Sequence, residues 1–196
     1  MGAVFSTKRR QAESTSAVTP LPAWVRTVTW IAVLAPLPYS LSRLLWAAGI
    51  PLGIDAELLR EFHSPGWGSL YILCLALLPE ATAVFTHTFL AARPRTVPDR
   101  VPLIAGRPVR PSLVAATLLV PIALLAGFNA WSLGPIMDGF AIPAANDGLP
   151  GWSFWGQVAT FWLWGVSLAV ATAAYWLAAR DDKRAPTGDH EPAAAA

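Results

Sequence analysis

From Ser112 to Gly134 the chain reads "SLVAATLLVPIALLAGFNAWSLG", without a charged side chain. As a helix this run would rise roughly 35 Å at about 1.5 Å per residue, enough to cross the roughly 30 Å hydrocarbon core of a bilayer. Three further runs have the same character: Val25–Ala48, Gly68–Ala92 and Ser153–Ala179. A buried helix of a soluble protein could explain one such run, but not four. Pro36, Pro38, Pro79 and Pro121 fall inside the runs, and transmembrane helices tolerate proline with kinks as the usual consequence. The expectation is an all-α integral membrane four-helix bundle with proline-kinked spans.

Composition agrees. The 196 residues are 55% hydrophobic and 13% charged, with a mean hydropathy of +0.47. A soluble domain carries about 25% charged residues, and half that number could not screen so much apolar surface from water. Lipid can solvate it instead. Cys74 is the single cysteine, which excludes an internal disulfide and argues against a cysteine metal site. No cofactor or metal motif is present.

The net charge of +2 matters less than its distribution. Lys8, Arg9, Arg10 and Arg26 precede the first span. Arg93, Arg95, Arg100, Arg107 and Arg110 fill the loop between spans two and three, and Arg180, Lys183 and Arg184 follow span four. The positive-inside rule then sets both termini and the middle loop on the cytoplasmic side of the cell membrane. Trp46, Trp67, Trp131, Trp152 and Trp155 cluster at the opposite ends and Trp24 and Trp176 at the inner ends, as an aromatic belt would. Trp162 and Trp164 lie deeper, where packing or lipid contact is expected of them.

Two flexible cytoplasmic tails, 1–23 and 181–196, flank a membrane domain over 24–180. Met1-Gly2-Ala3-Val4-Phe5-Ser6 matches a myristoylation pattern, which in an Ala-, Arg- and Pro-rich chain reads as chance. Trp67-Gly68 and Leu90-Ala91-Ala92-Arg93 bound span two. Trp155-Gly156 and Leu177-Ala178-Ala179-Arg180 bound span four at nearly the same spacing. This suggests two parallel hairpin repeats, although both are also common membrane-boundary words.

In the loop after span one, Asp55 is placed to cap a short helix carrying Leu58, Leu59 and Phe62 on one face. Asp138, Asn146 and Asp147 in the loop after span three would suit either turns or a weak cation site, without a ligand pattern. The middle loop, "RPRTVPDRVPLIAGRPVRP", is too proline-rich for a continuous helix. Its arginines suit anionic lipid headgroups at the cytoplasmic surface, whereas nothing in it has the aromatic interleaving of a nucleic-acid site.

The segments Arg100–Val109 and Ser42–Ile54 ("SRLLWAAGIPLGI"), with the basic end of the last span, resemble uncharacterised actinobacterial multi-pass membrane proteins over most of Trp30–Arg184. That resemblance implies a four-span fold and no particular activity.

The residues out of place in lipid are Glu80, Arg43, His87 and Asn129, and intramembrane polar groups are functional candidates by default. Glu80 lies near the middle of span two, in "LLPEATAVFTH" (Leu77–His87). His87 is seven residues on, so the two share a helix face about 10 Å apart and cannot bond directly. Ala83 between them would admit a neighbouring helix, and Thr82, Thr86 and Thr88 can bond back to their own helix. Arg43 could snorkel outward from span one or pair with Glu80 to hold spans one and two together. Asn129, Gln157 and Ser167 could bond between helices. No second acid, metal-ligand set or serine–histidine motif accompanies Glu80, which weighs against catalysis. The expected function is that of a structural, accessory or partner-binding membrane protein, as a homo-oligomer or with another membrane partner. The alternative is a small oligomeric permease or proton- or cation-conducting protein using Glu80.

Overall fold

The computed structural model describes residues 22–92, 94, 96–97, 105–139 and 148–184, with the backbone alone described at 182–184. Residues 1–21 and 185–196 of the two tails, with the myristoylation pattern, lie outside them, whereas Ala23 already opens the first helix and Asp181–Arg184 continue the last one instead of starting a flexible tail. Among the described residues the chain is all-helical, without a β-strand. Its helices are α1 (Ala23–Leu34), α2 (Leu37–Ala47), α3 (Ala56–Glu61), α4 (Gly68–Thr86), a π-helical turn (His87–Ala91), α5 (Pro111–Met137) and α6 (Gly151–Arg184). Four segments are long and apolar enough to cross a membrane: Ala23–Ala47, Gly68–Ala91, Pro111–Met137 and Gly151–Asp181, of 25, 24, 27 and 31 residues. These are spans one to four below.

The prolines do not act alike. Pro36 and Pro38 lack an N–H, so the carbonyls of Ala32 and Leu34 lose their helical donors and span one divides into α1 and α2. α1 ends with Ala35 N–H donating to the Ile31 carbonyl at 2.8 Å, and Ser40 N–H donates to Pro36 at 3.0 Å as α2 begins. By contrast, α4 stays helical through Pro79, and α5 through Pro121 and Pro135. One missing donor leaves the rest of a turn intact, whereas two within three residues break it.

Span four lies between span three and span one, and span one carries span two on its other side. Spans two and three share no comparable helix interface, so the bundle is open along that edge. The main core draws on every span through Ala32, Leu90, Leu118 and Leu168, each at most 1% exposed. Ala76 and Ala83 of span two are buried as well, and small side chains of this kind let helix backbones approach closely. At Gly165, an added Cβ would stand 3.0 Å from Asn129 Nδ2 and 3.2 Å from Leu125 Cβ, so α5 and α6 meet there at close range.

Outward faces carry the opposite pattern. Leu70, Leu78, Val84, Val120 and Leu124 are exposed, a surface that water would penalise and lipid would not.

At the tryptophan-rich end, serine hydroxyls reach the last carbonyls of α2, of which that of Trp46 also accepts from Gly49 N–H at 2.9 Å. Ser64 donates to the Trp46 carbonyl and Ser69 to that of Ala47 at 2.8 Å, while Trp46 Nε1 donates to Leu52 at 2.7 Å. Trp46 is therefore buried with Ile54, Leu59 and Ile72 in a second core, not set in a lipid-facing belt as its position suggests. Asp55 caps α3 by accepting from Glu57 N–H at 2.8 Å, and its own N–H donates to Gly148 at 2.7 Å, tying the two loops at this end together. Leu59 of α3 is buried but Phe62 is exposed, so the short helix packs by a narrower face than Leu58, Leu59 and Phe62 together would give.

Candidate functional site

Arg43 sits on α2 with Tyr39 one turn before it and Trp46 one turn after. Its guanidinium carbon lies 4.6 Å from the Tyr39 ring centroid and 3.9 Å from that of Trp46. Its Nη2 donates to Gln157 Oε1 of α6 at 2.7 Å. Gln157 Nε2 is in turn 3.4 Å from Ser153 Oγ, and Tyr39 meets Phe161 with ring centroids 4.8 Å apart. A cation is thus held between spans one and four by an amide oxygen and two aromatic faces, which stabilise it without a counter-ion among the described residues. Arg43 is half-buried and its Nε is buried without a partner. The side chain therefore turns into the bundle instead of snorkelling outward.

Glu80 does not pair with Arg43, and the helix register gives the reason. Ser69 meets Ala47, and His87 meets Trp30 with ring centroids 5.1 Å apart. Counting from either contact along these antiparallel spans, Glu80 falls level with Pro36 or Leu37. Arg43 is then six to seven residues nearer the tryptophan-rich end, about 10 Å along the axis at 1.5 Å per residue. Glu80 is half-buried opposite the break in span one, and its Oε1 is buried without a hydrogen-bond partner.

The other candidates are separate again. His87 is exposed at the start of the π-helical turn, beside Trp30. Asn129 is buried between spans three and four, its Nδ2 donating to the Phe161 carbonyl at 3.4 Å and its Oδ1 without a partner. Below it, Trp162 Nε1 donates to Ser132 Oγ at 3.0 Å, and Ser132 Oγ donates to the Asn129 carbonyl at 2.8 Å. Ser167 bonds within its own helix, to Leu163 and Trp164, and not between helices. Thr82 and Thr86 bond back to Leu78 and Thr82, and Ala83 is buried between Glu80 and His87.

Glu80, Arg43, His87 and Asn129 are thus four environments and not one site. Tyr39 was missing from the sequence-based candidates. Its spacing with Arg43 and Trp46, at i, i+4 and i+7, marks one helix face and is the signal that could have found it.

No group of three His, Cys, Asp or Glu side chains able to hold a metal occurs among the described residues. Asn146 and Asp147 lie outside them, as do Arg93, Arg95 and Arg100. Arg107 and Arg110 are exposed at the basic end. A short ladder holds Arg107: Val97 N–H donates to the Arg107 carbonyl and Gly106 N–H to that of Val97, each at 2.9 Å, with a bridge between Thr96 and Pro108. Arg110 immediately precedes α5, its carbonyl accepting from Leu113 and Val114. Comparison of the chain with family models, with curated proteins and with solved structures returns no match.

Proposed function

We propose that the chain is a multi-pass protein of the cell membrane, with both termini and the arginine-rich loop cytoplasmic, that acts as a structural, accessory or partner-binding component without catalysis. One observation carries this reading: the intramembrane polar side chains are used between helices. Arg43 with Gln157, Asn129 with Phe161 and Trp162 with Ser132 each join two spans, and such bonds stabilise membrane helix pairs by about 0.6 kcal/mol each on average. None of them gathers the acids, bases or nucleophile that a reaction needs. Its partners in this reading are the bilayer, anionic headgroups at the loop, and a second copy or another membrane protein. The tandem-hairpin origin belongs to the same reading.

A second reading has its own support. Glu80 holds a buried carboxylate oxygen without a partner inside an apolar span, as a proton- or cation-conducting oligomer would require. Purified protein in liposomes loaded with a pH-sensitive dye separates the two. The accessory reading expects no flux under an imposed proton or cation gradient; a flux abolished in Glu80→Gln would replace it with the conducting one. For orientation, in a Cys74→Ala background, an impermeant thiol reagent applied to whole cells should label Ala56→Cys and spare Ala105→Cys. The reverse pattern would invert the topology.

A further inference from the structure

Where spans two and three part, they leave a crevice of about 470 Å³ at the basic end, within the roughly 300–1,000 Å³ range of small-molecule sites. Phe85 and Phe89 wall it on span two, with ring centroids 4.6 Å apart, and Leu113 and Val114 wall it on span three. The π-helical turn shapes the first wall: it carries Leu90 fully buried in the core and Phe89 half-buried beside it. Arg107 and Arg110 line the same crevice, and among the described residues no acid does. Among the described residues neither guanidinium has a hydrogen bond or an ion pair. The crevice is therefore amphipathic, apolar along the spans and cationic at the end, where the Val97–Arg107 ladder fixes the Arg107 backbone.

We infer that this crevice binds one anionic phospholipid, an acyl chain lying between Phe85, Phe89, Leu113 and Val114 and the headgroup phosphate meeting Arg107 and Arg110. The inference rests on the membrane reading above and narrows its diffuse lipid contact to one place. Charge complementarity selects the occupant. A free anion would leave the apolar walls uncovered. A zwitterionic lipid brings a cation of its own toward the two arginines, and a lipid of net negative charge does not.

Native mass spectrometry of the full chain, released from detergent after titration with phosphatidylglycerol or phosphatidylcholine of matched chains, tests this. The expected result is one saturating phosphatidylglycerol adduct, favoured over phosphatidylcholine by about thirtyfold, as two surface basic residues would give. Arg107→Gln/Arg110→Gln should bring the two lipids near parity. Thr117→Trp, at an exposed position lining the crevice, should reduce adducts of both lipids. Circular dichroism confirms that each variant keeps its helices.

Glycerol 3-phosphate binding as well as phosphatidylglycerol would overturn the inference, because the apolar walls would then be irrelevant. Equal binding of the two lipids by the wild-type chain would overturn it too. The control is Arg93→Gln/Arg95→Gln, which removes the same charge elsewhere in the loop. If both arginine pairs lower the preference equally, the one-lipid site fails while diffuse headgroup contact stands.

Discussion

Trp67-Gly68 and Trp155-Gly156 are the same two-residue word near the start of spans two and four, and the fold uses them differently. At Gly68 an added Cβ would lie 1.6 Å from the Phe62 carbonyl oxygen, because the turn leaving α3 crosses directly over the first turn of α4. At Gly156 nothing stands within 4 Å of that position. One glycine is required by a chain crossing; the other marks a boundary. The resemblance between the hairpins is therefore one of sequence at these positions and not of packing. Arg43 and Glu80 form a similar contrast. Both are ionisable groups within apolar spans, yet the cation has an amide and two rings around it, while the acid keeps a buried oxygen without a partner.

The largest expected effect breaks the first contrast. Gly68→Ala must displace backbone and should cost about 1–3 kcal/mol or more, as overpacking does, read as a fall in unfolding midpoint in detergent. An unchanged midpoint would remove the crossing as the reason for glycine.

The second effect sharpens the other contrast. Gln157→Leu should cost about 1.5–3 kcal/mol, since it strips a hydrogen bond from a charged group in a half-buried setting. A double-mutant cycle with Arg43→Leu should be far from additive. The cycle of Arg43→Leu with Glu80→Gln should be additive within about 0.5 kcal/mol, as for separated sites. Strong coupling in that cycle would restore the ion pair that the register excludes.

Smallest is Gly156→Ala. It should stabilise by about 0.5–1 kcal/mol, because alanine in an open helical position loses less chain entropy than glycine. A loss of stability there would reveal a contact that makes the two glycines equivalent after all.

The number of spans was legible because apolar length answers to the bilayer and not to any partner in the fold. Ser112–Gly134 needs no tertiary information to be read as a span, and the observed helix over Pro111–Met137 extends it by only a few residues. The α3 cap was legible too, since Asp55 and Glu57 are sequence neighbours and a cap is local. Arg43 and Glu80 were harder. Both can be named from sequence as polar groups in lipid, but pairing them needs the axial register of two helices, which Ser69, Ser64 and Trp30 set from outside the candidate pair. Trp46 looked like a belt residue for the same reason: its depth could be read, but the face it occupies could not.

The sequence by itself determined four membrane-length helices, the accumulation of basic residues at one end and the identity of the intramembrane polar groups. Those properties follow from composition along short stretches of chain. Tertiary structure decided that Trp46 turns into a core, that Arg43 meets Gln157 and not Glu80, and that spans two and three stand apart around a crevice. Each of these depends on which helix faces come together and at what height. Apolar side chains pack against lipid or against one another with little difference in free energy, so the hydrophobic pattern leaves that choice open, and close packing and a few hydrogen bonds make it.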